Sequence, residues 1–422
     1  MTAFLALALL LPAFHVHQEP RGIGNLVAPG DVVRITYSVE GAKSATGTLY
    51  VRNDTMRAFE RLPLHGLSAR VPSRPIRGQL LTYYAVVRDP KTGRTARSVR
   101  GSAWILSGAI RLQLGLHRFG HTRAPDATAA HWDADEVGWQ TEGDAFGPET
   151  FLVGAGGSIW LDDGLNGRVL VSAPTGPRTV ALPYGSNGDI ALGPAGTVYA
   201  AGGEGRGLTY RRVLYRVGGA GDVLWKQRLF GDVGANSPLR FGTGGKLYNV
   251  VGMFGRPGNS FGWTPVATKA GQPVAETGQH AGTSWPYQPL VNGLRLVWDV
   301  YGALRDGPPR EARYALFRGT RLVRAWRVLS KSDVNFNFFT PEIVGGDVVV
   351  AVDITKPTKA AFKWEYEILR LGPHGAVKRF ALPRAVYGDN LLTDLRVGPD
   401  GSLYQLASSP DTGVTIVRYS LR

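Results

Sequence analysis

The chain has 422 residues, of which 43% are hydrophobic and 19% charged, a composition that excludes a disordered chain and provides for two or three globular domains. It contains no cysteine, which excludes disulfides, thiolate metal sites and a cysteine nucleophile. The formal net charge is +15, and only 10 of the 48 basic residues are lysines. An arginine-rich surface favours anionic partners such as acidic polysaccharide, anionic lipid or nucleic acid. The basic residues are scattered along the chain, so an ordinary solvated surface is the simpler interpretation.

The first segment carries an apolar run from Ala3 to Phe14. Such a run is too short to span a bilayer and has the length of the hydrophobic part of a signal peptide. We therefore predict a signal peptide over residues 1–18 and a secreted or cell-envelope protein. A buried N-terminal strand is the alternative. No later run is long enough to predict a membrane helix.

Residues 19–105 alternate apolar and polar residues with a period of two, in runs such as DVVRITYSVEG and LLTYYAVVRDP separated by turn residues. About 85 residues of this kind indicate an immunoglobulin-like or fibronectin type III-like β-sandwich. No residue of this segment lies in a catalytic pattern. Domains of this type act most often as spacers or adhesion modules.

Residues 106–148 are interpreted as a linker that also contains a strand closing the following domain. The candidates for this strand are residues 110–116 and 137–141. His117, His121 and His131 fall within fifteen residues and lie near three aspartates. Their spacing matches no metal-ligand signature, so the segment is predicted to be a solvated loop.

Residues 149–422 contain six copies of a strand, a glycine-rich turn and a second strand. The last copy reads DLRVGPDGSLYQLASS, and its turn glycine recurs at intervals of 39 to 55 residues, at Gly157, Gly196, Gly245, Gly293, Gly346 and Gly401. That interval is the length of one four-stranded propeller blade. We predict an all-β protein with a six-bladed β-propeller after the N-terminal sandwich. The final repeat ends on its third strand, so its outer strand should come from the chain before residue 149.

The phrase FGPETFLVGAGGSIWLDDGLNGRVLVSAP, at the start of this region, resembles the NHL-type and YVTN-type propeller repeats of exported bacterial proteins. The resemblance covers roughly residues 146–422 and implies architecture, not a ligand. Six-bladed lactonases bind a metal through Glu, Asn and Asp side chains. In this chain Asn236 is the only asparagine that can be placed near the corresponding carboxylates. The related streptogramin lyases use a histidine, and this region has only His280 and His374.

Polar residues recur where the inner strands begin. If these strands line a central channel, one mouth of it should collect Glu149, Asp189, Arg240, Glu342, Asp394 and Arg396. Converging carboxylates could bind a calcium-like cation or shift one another's pKa values for acid–base chemistry. No other cofactor is expected.

A second candidate surface is aromatic and lies in the third and fourth repeats, with Trp263, Trp285, Tyr287 and Trp298. An exposed cluster of this kind could stack on a sugar or grip a peptide.

Together these patterns favour an exported, non-catalytic binding protein. Its propeller would present a face to an extracellular protein or polysaccharide, without specific nucleic-acid binding and as a monomer. The first alternative is a metal-assisted hydrolase or lyase at the channel mouth. The second is an envelope scaffold that holds anionic polymer.

Overall fold

The structure is a computed structural model, and it describes most of the chain with several gaps. The described residues are 14–18, 26–42, 44–142, 145–148, 150–183, 189–193, 196–204, 211–229, 239–242, 245–252, 261–274, 288–289, 293–301, 310–334, 342–344, 346–358, 362–388 and 393–422. Within these ranges the regular structure is β, apart from single 3-10 turns at Ala134–Glu136, Ala155–Gly157 and Gly164–Asn166. The chain divides into a unit up to Gly108 and a unit that begins at Ala109.

The first unit contains two β-sheets. Its strands are β1 (His15–Gln18), β2 (Leu26–Val27), β3 (Val33–Glu40), β4 (Thr46–Asn53), β5 (Glu60–Leu64), β6 (Ser68–Val71), β7 (Leu80–Arg88), β8 (Thr95–Arg97) and β9 (Gly101–Ile105). One sheet has the order β1-β3-β6, and the other has the order β2-β9-β7-β4-β5 with β8 paired to β7.

One hydrophobic core lies between these two sheets. Buried residues alternate along most of β3 and β4 and all of β7, because alternate side chains of a strand point to opposite faces. Ile35 of one sheet joins Leu49 and Leu81 of the other in the same cluster. β1 belongs to this unit, since it pairs with β3 and its Val16 is buried in the core.

The second unit is built from small, mainly antiparallel sheets. Its first three sheets are sheet 1, with β12 (Phe151–Val153), β13 (Ile159–Asp163), β14 (Arg168–Ser172) and β15 (Arg178–Ala181); sheet 2, with β16 (Ile190–Leu192), β17 (Val198–Glu204), β18 (Arg211–Val217) and β19 (Val223–Arg228); and sheet 3, with β20 (Leu239–Phe241), β21 (Leu247–Gly252) and β22 (Phe261–Ala267).

The next three sheets each take in an additional strand. They are sheet 4, with β10 (Ile110–Gly115), β23 (Gln288–Pro289), β24 (Leu294–Tyr301), β25 (Glu311–Arg318) and β26 (Arg321–Ser330); sheet 5, with β27 (Asp333–Val334), β28 (Glu342–Val344), β29 (Asp347–Pro357), β30 (Phe362–Gly372) and β31 (Gly375–Pro383); and sheet 6, with β11 (Ala127–Trp132), β32 (Leu395–Val397), β33 (Leu403–Ser409) and β34 (Gly413–Tyr419).

These sheets pack face to face in chain order. Separate apolar clusters join sheet 1 to sheet 2, sheet 2 to sheet 3, sheet 4 to sheet 5 and sheet 5 to sheet 6. The inner strands β20 and β23 bring sheets 3 and 4 together. A further cluster joins sheet 6 back to sheet 1, through Tyr404, Leu406 and Phe151. Cyclic packing of small antiparallel sheets is the arrangement of a β-propeller.

The glycines that defined the repeat lie in the turns after the inner strands. All six adopt a positive φ, between 71° and 88°, a region that glycine enters without steric cost. This conformational demand explains why the glycine persists in each copy while the neighbouring residues change.

The strand that completes the last sheet differs from both candidates in the sequence analysis. β11, at residues 127–132, pairs antiparallel with β34 and supplies the outer strand of sheet 6. The candidate at residues 110–116 does form a strand, β10, but it pairs in parallel with β26 at the edge of sheet 4. The candidate at residues 137–141 forms only an isolated bridge through Gln140. β11 was missed because its sequence, ATAAHW, has little apolar alternation.

Candidate functional site

The predicted channel-mouth residues centre on Asp189, which is fully buried at the start of β16. Its Oδ1 accepts hydrogen bonds from Arg396 Nη2 at 2.7 Å and Thr150 Oγ1 at 2.8 Å. Its Oδ2 accepts from Arg240 Nη1 at 2.7 Å and from the backbone amide of Leu239 at 3.0 Å. A fifth donor, the amide of Ile190, also contacts Oδ1 at 3.0 Å. Five donors occupy the lone pairs of this carboxylate.

The charges around Asp189 are balanced within the cluster. Burial acts against the ionised form, but Arg396 and Arg240 hold the pKa of Asp189 below its usual value. Burial and the charge of Arg240 lower the pKa of Arg396 to about 10, against the attraction of Asp189 and Glu342. Burial raises the pKa of Glu342, and the two arginines oppose that rise. Asp189, Arg240 and Arg396 therefore form an ion-pair network, and Glu342 lies close enough for the two arginines to influence its pKa.

This network links four sheets, because Asp189 adjoins β16 of sheet 2 and its partner Arg240 lies in β20 of sheet 3. Arg396 Nε also donates to the carbonyl oxygen of Phe151 at 3.0 Å, so sheet 6 is fastened to sheet 1 as well as to Asp189 of sheet 2. Because five donors from the protein bind the Asp189 carboxylate, the arrangement is suited to joining sheets. It offers no free carboxylate oxygen at Asp189 for a cation or for proton transfer.

Asp394 lies in a different environment from the network. It is buried at the start of β32, and its carbonyl oxygen accepts from Leu406 in the way that the Asp189 carbonyl accepts from Ala201. Burial raises the pKa of Asp394 to about 6, although a hydrogen bond from Tyr366 and the charge of Arg384 oppose the rise.

A second carboxylate, Asp353 of β29, interacts with Asp394. Burial and then the charge of Asp394 raise the pKa of Asp353 well above its usual value. The two oxygens Asp353 Oδ1 and Asp394 Oδ2 are both buried without a hydrogen-bond partner. Register places Asp353 directly opposite Tyr366 of β30. An unsatisfied buried carboxylate oxygen costs free energy. Asp394, which was predicted, and Asp353, which was not, therefore form a pair that can still accept hydrogen bonds or a cation.

A third polar cluster surrounds His117. This side chain is buried, with Nε2 at 2.8 Å from Glu365 Oε2 and Nδ1 at 3.0 Å from Glu367 Oε1. Arg379 in turn donates from Nε to Glu367 at 2.9 Å. Burial acts against a charged imidazole, but Glu367 and Glu365 together raise the pKa of His117. A cavity of about 320 Å³ opens beside it and is also lined by Arg118, His121 and Phe380.

His117 corrects the prediction of a solvated loop, because it fastens the chain before β11 to the outer hairpin of sheet 5. His121 and His131 remain exposed. The signal that could have found this contact is in β30, where Glu365 and Glu367 are two residues apart and therefore point to one face of the strand.

Several predicted site residues do not join these clusters. Glu149, Trp285 and Tyr287 lie outside the described residues, and for Trp263 the structure describes only its backbone position in β22. Trp298 is buried in the core shared by sheets 4 and 5, so it contributes to packing and not to an exposed aromatic surface. The described residues contain no group of three or more His, Asp or Glu side chains able to hold a metal ion.

By its cyclic sheets the second unit belongs to the class of β-propeller folds, and its polar clusters lie where adjacent sheets meet. No family model matches the chain, and no curated protein matches it. In the part of the chain that the structure describes, no helix has the length and apolar character to cross a membrane.

Solved structures with a distant likeness include a streptogramin B lyase, at 12% identity and a TM-score of 0.31, covering 81% of this chain and 90% of that one. A PQQ-bound aldose sugar dehydrogenase from Streptomyces coelicolor has 13% identity and a TM-score of 0.37, covering 70% and 96%. A protein of unknown function from Bacteroides thetaiotaomicron has 12% identity and a TM-score of 0.33, covering 96% and 98%. TM-scores of this size carry no argument about the activity of this chain.

Proposed function

We propose that the chain is an exported, non-catalytic binding protein. In this proposal the six sheets are the blades of a six-bladed propeller of the NHL or YVTN type, preceded by an immunoglobulin-like sandwich. The propeller presents a face to an extracellular or envelope partner, either a protein or a polysaccharide, and the protein acts as a monomer.

The observation that carries the non-catalytic part is the saturation of Asp189. The carboxylate at the centre of the predicted channel-mouth site accepts five hydrogen bonds, two of them from the buried Arg396 and the largely buried Arg240. A group bound in this way supports the joining of blades. It has neither a free oxygen for a metal nor a pKa near neutrality for acid–base work.

The sandwich part of the proposal rests on the two sheets of the first unit and their single shared core. The six-bladed part rests on six repeat glycines with the same turn conformation and on the packing of sheet 6 against sheet 1.

A second candidate function, a metal-assisted hydrolase or lyase, is favoured by one observation. Asp353 Oδ1 and Asp394 Oδ2 are buried and unpartnered, and a cation held between them would satisfy both. In this alternative the metal-binding site is the Asp353–Asp394 pair and does not include Asp189.

Calorimetric titration of the full chain with Ca²⁺ separates the two candidates. The binding-protein proposal expects no saturable heat. A stoichiometric heat that is lost in both Asp353→Asn and Asp394→Asn, and kept in the exposed-site control Asp411→Asn, would favour the second candidate and overturn the first.

A further inference from the structure

The outer face of the larger sheet in the first unit carries a cluster of aromatic rings. Tyr50 of β4 and Tyr84 of β7 are opposite each other in register, and their rings stack in parallel with centroids 4.8 Å apart. Phe59 meets Tyr84 edge to face at 5.1 Å. All three rings are partly exposed, and the alternation of β4 and β7 turns Tyr50 and Tyr84 away from the core.

Arginines cover these rings. The guanidinium carbon of Arg97 lies 3.8 Å from the centre of the Tyr84 ring, and that of Arg61 lies 5.7 Å from the centre of the Tyr50 ring. Both arginines are exposed. A guanidinium over a ring is attracted by the ring's negative face, which holds it in place while its N–H edge points to solvent.

Two further arginines extend the cluster. Arg52 lies 4.7 Å over Phe59, and the exposed Arg100 lies 5.9 Å from the rings of both Phe59 and Tyr84. We call the three rings and these four arginines the arginine–aromatic face.

The face has no compensating negative charge. The outward positions of β4, β5, β7, β8 and β9 hold neither aspartate nor glutamate. Within the described part of the chain, none of the four arginines forms an ion pair with a carboxylate. This differs from the second unit, where Arg240, Arg379 and Arg396 are each paired with an acid.

We propose that the arginine–aromatic face binds an anionic polysaccharide that carries carboxylate groups at regular intervals, such as a polyuronate. Guanidinium groups form bidentate hydrogen bonds with carboxylates, and arginines that the rings already hold in place lose little conformational entropy on binding. A sheet face that presents several such groups fits a linear polymer with a repeated charge. The ring faces are covered by each other and by guanidinium, so they are not open to stack on nucleobases, which argues against single-stranded nucleic acid.

The choice of a polysaccharide rests on the export in the proposed function, whereas the binding face itself does not depend on the propeller.

The test uses the full chain and polygalacturonate as the probe, with neutral dextran and a short DNA duplex as comparisons. Three variants are measured. The triple variant Arg61→Gln/Arg97→Gln/Arg100→Gln removes three charges from the face. The matched control Arg34→Gln/Arg70→Gln/Arg74→Gln removes three charges from exposed positions of the same unit, of which Arg34 and Arg70 are paired across β3 and β6. The variant Arg61→Lys/Arg97→Lys/Arg100→Lys keeps the three positive charges but removes the planar guanidinium groups that form bidentate hydrogen bonds.

The full chain should bind polygalacturonate and not dextran, with an affinity that falls as salt is added, since screening weakens contacts between exposed charges. The face variant should lose about tenfold or more in affinity, the lysine variant should be intermediate, and the control should lose no more than about twofold. Near-UV circular dichroism, which reports the packing of the aromatic side chains, should confirm that each variant is folded.

Equal losses in the face variant and the control would mean that only the net charge of +15 attracts the polymer, and would overturn the proposal. Tighter binding to the DNA duplex than to polygalacturonate would overturn the choice of partner. Saturable binding of Ca²⁺ at Asp353 and Asp394 would overturn the proposed function but would not affect this inference. The failure of one can therefore be distinguished from the failure of the other.

Discussion

At the scale of single residues, Asp189 has the largest structural role among the predicted site residues. It is the shared anionic partner of the buried Arg396 and the largely buried Arg240. Replacing it removes the compensating charge and leaves the arginines behind.

We therefore expect Asp189→Asn to lower the free energy of unfolding by about 3–5 kcal/mol, because removing one partner of a buried ion pair leaves an uncompensated charge. Denaturant unfolding measures the change. The exposed control Asp411→Asn should stay within about 0.5 kcal/mol. If Asp189→Asn left the free energy of unfolding unchanged, the arginines would have found water or other partners. The network would then not be what joins the sheets.

Asp394 should affect stability in the opposite direction and with a defined pH dependence. Its pKa is raised from 3.8 to about 6, so the folded state holds a proton that the unfolded state releases as pH rises. The destabilisation is absent below about pH 3.8 and complete above about pH 6. Asp394→Asn removes the ionisation, so its melting temperature should exceed that of the original chain at pH 7 and converge with it near pH 4. A constant difference across this range would contradict the buried, unpaired state of the carboxylate.

The residue scale also separates what the sequence could predict from what it could not. Asp189, Arg240 and Arg396 could be grouped, because each lies at the start of an inner strand and the repeat aligns those starts. Their pairing could not, since the ion pair between Asp189 and Arg396 joins residues 207 apart and depends on how sheet 6 meets sheet 2. Asp353 was missed because it lies well along β29 and carries no repeat signal.

At the scale of elements, β11 is the strand that connects the end of the chain to its earlier part. Its Trp132 is buried against residues of sheets 1 and 6, in the cluster that closes the cycle of sheets. The sequence predicted that an upstream strand was needed, because the last repeat lacks its fourth strand. It could not identify β11, since three alanines and a threonine fill its first four positions, where an apolar period would have to show.

We expect Trp132→Ala to cost about 3–5 kcal/mol of unfolding free energy, because a large side chain is removed from a closed core. The neighbouring His131 is exposed and points to the other side, so His131→Ala should have a much smaller effect. The fragment 133–422 should likewise melt well below the fragment 109–422 or aggregate, since sheet 6 would present an unpaired edge. Equal stability of the two fragments would mean that β11 is dispensable for closure.

At the scale of the whole molecule, composition and repeat spacing were sufficient for the all-β class and for the β-propeller fold, because turn glycines and strand alternation are local properties. The N-terminus is the point at which sequence and fold make competing demands. The run from Ala3 to Phe14 has the character of an export signal, yet Phe14 and Val16 lie in the core of the first unit and β1 pairs with β3.

Export predicts that residues up to about His17 are missing from the protein recovered from culture medium or envelope, and N-terminal sequencing measures this directly. Processing at that point would remove β1, leave one edge of β3 unpaired and empty the core positions of Phe14 and Val16. The processed protein should therefore melt at a lower temperature than the full chain produced without export, with the loss confined to the first unit. The buried Tyr83, whose hydroxyl accepts a hydrogen bond from Gln18, provides a probe close to the cut. An intact Met1 on protein found only in the cytosol would contradict export, and β1 would then be a permanent strand of the first unit.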